Sequence, residues 1–407
     1  MRVLILGGDG YLGWPTAMYL SQRGHEVAVV DNYFRRHAGI VLGCEPLIPV
    51  PEMHQRTQVW KSVSGKDVAY YIDDVCHYPF LARIFHEFKP DTVVHYAQQP
   101  SATYSMMDRN AAIFTLTNNL VSTANLMHAV QEFAPRCHII KLGTMGVYGT
   151  PNIDIEEGYL EVEHKGRSHR FLYPKEPGSI YHLTKAMDGD LLYFFCRTQS
   201  IRVTDLNQGP VYGLRTEESA PDDLLLSMFN YDAVFGTVLN RFLVQAVAGI
   251  PLTVYGTGGQ TRGFLNIKDT LSCVELAIHN PAHPGEYRVF NQIAEIFTVN
   301  QLAQKVQQAG ARLGLTVEIQ HIANPRREAE EHYYKPNHTG LLSLGLKPNY
   351  LTEDVLEEML SLIIKYRDKI NPDLIMPGIS WKQPMVIKLV DDDEPAIPPP
   401  QYCSSNF

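Results

Sequence analysis

No apolar run in this chain approaches the roughly 18 residues that span a bilayer. The first apolar stretch, residues 3–6, runs straight into glycines. It lacks the basic flank and long apolar region of a secretory signal. We therefore expect a cytoplasmic protein, or a plastid stromal one if a transit peptide has been removed. The six cysteines (Cys44, Cys76, Cys137, Cys196, Cys273 and Cys403) include no CxxC pair. Their scatter argues against a zinc site or any other metal centre and suits free thiols in a reducing compartment. A net charge of −9, with nothing more basic than short clusters such as Arg35-Arg36, leaves no electrostatic footprint for nucleic acid or anionic lipid. No internal repeat is visible.

What is present is a chain of 407 residues, 45% apolar, enough for one large α/β unit with a smaller lobe. The first half alternates short apolar runs (3–6, 26–30, 68–72, 92–95, 138–142, 201–205) with helical patterns (11–23, 80–88, 111–132, 180–198). Such alternation implies βαβ units and a parallel sheet. The second half mixes strand-like pieces (252–255, 287–291, 317–321) with helical ones (237–248, 268–279, 299–313, 353–366), and reads as a lobe closing over the sheet's carboxyl edge. We expect residues 1–205 to be mainly a nucleotide-binding domain of Rossmann type. Residues 206–382 would be mainly a substrate lobe whose chain crosses back to the sheet. From 383 onward, acidic and proline runs suggest a disordered tail.

The first apolar run ends in Gly7-Gly8-Asp9-Gly10-Tyr11-Leu12-Gly13. Gly7 permits a tight turn, Gly10 a close approach to a pyrophosphate, and Gly13 the packing of a helix whose N-terminus faces that pyrophosphate. The second strand ends at Asp31, placed to accept both adenosine ribose hydroxyls of NAD and to repel a 2′-phosphate. Arg35 and Arg36 keep NADP open. Asp74 caps an adenine amino group or merely a turn.

Tyr181-His182-Leu183-Thr184-Lys185 is a YxxxK pattern. On a helix, Tyr181 and Lys185 share a face. The phenol can act as a general acid and base while the ammonium lowers its pKa and anchors a nicotinamide ribose. Thr144, just past the fifth strand, would bond the sugar hydroxyl being oxidised.

With these motifs the chain resembles the extended short-chain dehydrogenases, which include NAD-dependent nucleotide-sugar epimerases and 4,6-dehydratases. Over about residues 1–382 it is similar to a narrower branch, the UDP-sulfoquinovose synthases. The strings that carry this include Leu142-Gly143-Thr144-Met145-Gly146, Asp205-Leu206-Asn207-Gln208-Gly209 and Glu330-Glu331-His332-Tyr333-Tyr334. The resemblance implies oxidation of UDP-glucose at C4, loss of water across C5 and C6, addition of sulfite at C6, and re-reduction. Sulfite would arrive free or from a delivering protein, and the enzyme would be a homodimer. Carried over for NAD are Tyr11, Leu12, Asn32, Arg35, Val75, Asn118 and Val211. For the UDP-sugar they are Asn207, Gln208, Asn240, Arg241, Thr253, Val254, Tyr255, Gln260, Arg262, Arg326 and Glu328, with Arg262 and Arg326 on the diphosphate. Each of these can instead be a core or salt-bridge residue.

Ordinary dehydratases resemble Thr-Asp-Glu where this chain has Thr144-Met145-Gly146. Neither Met nor Gly transfers a proton, so elimination must use another group, and we expect His182 or Tyr181. The competing reading puts His182 about 100° around the helix from Tyr181 and away from the chemistry. Some relatives carry Arg at Pro100 and Glu at Val147. The alternative functions are a UDP-glucose 4-epimerase, a 4,6-dehydratase, or a non-catalytic NAD-binding scaffold.

Overall fold

The computed structural model describes residues 1–325 and 331–376; the acidic tail and residues 326–330 lie outside that range. The N-terminal half runs β1 (Arg2–Leu6), α1 (Gly13–Gln22), β2 (Glu26–Asp31), α2 (Phe34–Val41), α3 (Met53–Ser64), β3 (Val68–Ile72), α4 (Tyr78–Phe88), β4 (Thr92–His95), α5 (Arg109–Phe133) and β5 (His138–Thr144). An exposed hairpin, β6 (Tyr159–His164) and β7 (Arg167–Leu172), precedes α6 (Ile180–Gln199), β8 (Arg202–Gln208) and the short β9 (Val211–Tyr212). The second half adds α7 (Val238–Ala248), β10 (Leu252–Tyr255), β11 (Thr261–Asn266), α8 (Ile267–His279), β12 (Tyr287–Gln292), β13 (Glu295–Thr298), α9 (Val299–Arg312), β14 (Ile319–Ile322), α10 (Thr339–Ser343) and α11 (Glu353–Ile364).

Seven strands form one sheet in the order β12-β8-β5-β4-β1-β2-β3. Every pairing in it is parallel. This is the doubly wound arrangement, with its switch point between β1 and β4. β1 shows why such strands read as unbroken apolar runs. Val3 and Ile5 pack toward α1, α3 and α8 on one face, while Leu4 and Leu6 pack toward α4, α5 and α6 on the other. β12, read from the sequence as a lobe strand, closes one edge of this sheet instead. A third core lies among β10, α7, α9 and α11, and takes in Leu47 and Ile48 from the loop after α2. The N-terminal half thus inserts a strap into the other lobe.

Candidate active site

One cleft of about 720 Å³ runs along the carboxyl ends of β1, β2, β4, β5 and β8, and extends under β10 and β11. The glycine turn forms one end. Gly7 has φ +90°, and a Cβ there would lie 2.8 Å from the backbone of residues 96 and 97. A Cβ on Gly13 would lie 1.9 Å from the Gly7 carbonyl oxygen, whereas Gly10 is open on its cleft side, with nothing nearer than 3.5 Å. α1 begins at Gly13 with no side-chain cap; Trp14 and Thr16 turn their N–H groups back on the Gly10 and Leu12 carbonyls, and the helix N-terminus at Gly13 faces the cleft, where an anion is favoured. This cradle fits a dinucleotide pyrophosphate.

Asp31 accepts the backbone N–H of Asp9 and that of Tyr33, both at 2.8 Å. Burial, with Asp9 beside it, pushes its carboxyl up to about 6. Asp9 is held by Arg36 at 2.6 Å and by the fully buried Arg56 at 3.1 Å. Arg36 also donates to the carbonyls of Val50 and Pro51, so it buttresses the glycine turn from behind. Arg35 lines the cleft, donates to Asn230 at 2.7 Å and stacks 3.5 Å from the centre of the Phe235 ring. Tyr11, Leu12, Asn32, Val75, Asn118 and Val211 border the same space. Tyr11 is fixed by a 2.6 Å bond to the Gly213 carbonyl. Asp74 does not border it, and accepts from Asn32 and from the Cys76 N–H.

At mid-cleft stand Thr144, Met145, Gly146, Tyr181 and His182. Thr144 ends β5, and its hydroxyl accepts the Gly146 N–H at 3.1 Å. Burial pushes the Tyr181 phenol well up, and its hydrogen bond to Thr144 draws it partly back. Lys185 sits behind the cleft wall. Its ammonium donates to the Leu142 carbonyl at 2.7 Å and lies 5.9 Å from the centre of the Tyr181 ring. Burial, then the neighbouring Lys141, brings Lys185 down to about 7, against the pull of Asp188 and Asp205.

His182 faces the cleft as well. It occupies the first turn of α6, capped by Ser179. At a helix end pointing into the site, adjacent residues can both border it despite their 100° separation. The Tyr181 and His182 ring centres are 5.0 Å apart. The Nδ1 of His182 lies 2.9 Å from the Ser179 hydroxyl. A Cβ at 146 would lie 2.3 Å from its Nε2 and Cδ2. The imidazole therefore fills the volume that a side chain at 146 would take.

Toward the second lobe the cleft is lined by Gln208, Asn240, Arg241, Tyr255, Gln260 and Arg262. Arg241 donates to the Tyr255 hydroxyl at 2.6 Å and to the Thr253 carbonyl at 3.0 Å. Arg262 meets the Thr261 carbonyl and His332. Three expected contacts stand back from the cleft. Thr253 is tied to Gln245, Val254 is buried in the lobe core, and Asn207 bonds Tyr148 beneath Gly143. Arg326 and Glu328 lie outside the described residues. Sequence reasoning missed Asp9, Arg56 and Asn230, which form the underside and roof of the cofactor end. Only an acidic residue inside a glycine turn hinted at the first.

The model of the NAD dependent epimerase/dehydratase family matches residues 3–292. UDP-sulfoquinovose synthase, chloroplastic, of Spinacia oleracea is 51% identical over 382 residues, covering 94% of this chain and 79% of that protein. UDP-sulfoquinovose synthase of Sulfolobus acidocaldarius is 44% identical, covering 96% and 100%. The chain belongs to the NAD dependent epimerase/dehydratase family and, within it, to the UDP-sulfoquinovose synthases. It is thus an NAD-dependent enzyme. In fold it is similar to UDP-glucose 4-epimerase from Bifidobacterium longum in complex with NAD+ and UDP, with TM-score 0.69, 20% identity, and 91% and 100% coverage. Among the described residues no helix is long and apolar enough to cross a membrane.

Proposed function

We propose that this enzyme makes UDP-sulfoquinovose from UDP-glucose and sulfite, and that Thr144, Tyr181, Lys185 and His182 carry the chemistry. Bound NAD supplies the oxidation of the sugar C4 and its later reversal. Tyr181, oriented by Thr144, accepts the C4 hydroxyl proton. The resulting 4-ketone acidifies C5–H. His182 takes that proton and delivers one to the C6 hydroxyl; C5–H and C6–O break, C5=C6 forms, and water leaves. The sulfite sulfur lone pair then bonds to C6, the proton that sulfite brings as bisulfite goes to C5, and Tyr181 gives its proton back to O4. Arg262 and Arg241 pair with the diphosphate, and Gln208, Asn240, Tyr255 and Gln260 hold the nucleotide end.

The observation that carries this reading is the imidazole lodged in the side-chain space of Gly146, beside Tyr181. It restores a proton-transfer group where Met145 and Gly146 offer none. A homodimer through α6 would cover its exposed Leu183, Met187 and Phe194, which share one helix face. The buried free thiols of Cys44, Cys137, Cys196 and Cys273 suit a reducing compartment, the cytoplasm or a plastid stroma.

The test is mass spectrometry of enzyme incubated with NAD, UDP-glucose and sulfite. A UDP-sugar bearing a sulfonate at C6 is expected, and is lost in Tyr181→Phe. UDP-galactose or a 4-keto-6-deoxy sugar formed without sulfite would overturn the proposal.

A further inference from the structure

A second lysine lies directly behind the site. Lys141, in the middle of β5, is completely buried. Its ammonium is 3.5 Å from a carboxylate oxygen of Asp188 and 3.8 Å from one of Asp205. Both carboxylates are buried too. Asp188 stands on α6 three residues beyond Lys185, and its other fixed partner is the Gln98 amide at 2.7 Å. Asp205, on β8, accepts the Tyr287 hydroxyl at 2.6 Å. Among the described residues, the Lys141 ammonium and one oxygen each of Asp188 and Asp205 have no hydrogen-bond partner. A lysine, buried at this cost, is poor evidence of stabilisation, because apolar residues of similar volume usually serve a core as well or better. Its placement points to function instead. Residue 141 precedes Leu142, whose carbonyl holds Lys185.

We infer that Lys141 is a positioning residue: clamped between Asp188 and Asp205, it governs the charge of the Lys185 ammonium and, through it, the reactivity of Tyr181. This rests on the roles proposed above for Tyr181 and Lys185. Two lysines and two aspartates balance in a dry pocket, so each charge depends on the others. The remaining titratable groups around it are few. His95 on β4 is kept neutral by burial and by the two lysines. Tyr287 on β12 is bonded to Asp205. Lys175 is engaged by the Ala186 carbonyl and Asp190. Removing Lys141 takes away repulsion on Lys185; removing the Asp188 charge takes away attraction.

The experiment follows the pH dependence of the oxidative half-reaction, read as reduced-cofactor absorbance on UDP-glucose without sulfite. The wider synthase proposal is decided separately by product mass, so the two can fail independently. In Lys141→Met the alkaline limb is expected to move up by about one unit or more, and in Asp188→Asn down. KM for UDP-glucose should stay constant, because neither residue borders the cleft. Limbs that stay in place, or move the same way in both folded variants, overturn the inference. Should either variant fail to fold, ammonium-nitrogen NMR of the wild-type protein decides. A lysine titrating near neutrality, missing in Lys185→Met and moved up in Lys141→Gln, supports the inference; one that Lys141→Gln leaves in place, or lysines all titrating in the ordinary range, overturn it.

Discussion

Gly146→Ala isolates the proposed work of His182 without touching a reactive group. The added methyl carbon would lie 2.3 Å from the imidazole Nε2 and Cδ2, where carbon contacts normally settle at about 3.5–4.0 Å. The ring must retreat by roughly 1 Å. Doing so breaks its 2.9 Å link to Ser179, a loss of about 0.5–1.5 kcal/mol. A displacement of about 1 Å at a reacting group costs on the order of 100-fold in rate. Sulfonate formation should therefore fall about 100-fold. Oxidation of UDP-glucose at C4, which on the proposed roles uses Thr144, Tyr181 and Lys185 but not His182, should change by less than about threefold. The assay pairs absorbance of reduced cofactor without sulfite against product mass with sulfite. Adding His182→Ala to Gly146→Ala should cost little more than either change alone, because both remove one function. Sulfonate formation at the wild-type rate in Gly146→Ala, or equal loss of both reactions, would refute the role given to His182.

Other outcomes follow from the cofactor end. In Gly13→Ala the new carbon meets the Gly7 carbonyl at 1.9 Å and backbone cannot yield; purified protein should carry no NAD and lose about 1–3 kcal/mol of stability in denaturant titration. Asp9→Ala strands the buried Arg56 and should cost about 3–5 kcal/mol, seen as a lower Tm. The Asp31 carboxyl stands at about 6, above its ordinary value, so the cofactor-free protein binds an extra proton between about pH 4 and 6 and loses that stabilisation as pH rises through 6. Ribose hydroxyls need the ionised form. NAD affinity by titration calorimetry should thus weaken about tenfold from pH 7.5 to pH 5, and lose that dependence in Asp31→Asn.

Most of the sheet could be read from the sequence because its inner strands, such as β1 and β4, are buried on both faces. The elements missed were those without such a signature. The β6–β7 hairpin is exposed on both sides and mostly polar, so alternation does not mark it. α2 and α3 bury few apolar residues. β12 shows the opposite limit: its apolar pattern identified a strand, and the chain was expected to cross back to the sheet, but nothing in the pattern said that this strand would be the one to do so. At the site, motifs named most of the residues that border the cleft, whereas the supporting shell is assembled across long separations. Arg56 meets Asp9, and Arg35 meets Asn230, with no local pattern to announce either. Lys141 did leave a trace, as a charge inside an otherwise apolar strand.

On the roles proposed above, moving the proton-transfer group from the strand end to the helix also changes the electrostatics that sulfite would meet. Two carboxylates after Thr144 would face an incoming anion with like charge, at about 1–4 kcal/mol per pair at 4 Å, depending on local screening. Met145 and Gly146 remove both. The imidazole that takes the vacated space is neutral when it accepts the C5 proton and cationic afterwards. It gives a proton on to the C6 hydroxyl as water leaves, and so is neutral again, beside the carbon that sulfite attacks, when sulfite adds. A carboxylate in that place, having passed its proton on in the same way, would be anionic again when sulfite arrives. The exchange thus suits an elimination whose product is trapped by an anion, and it needs only that residue 146 have no side chain.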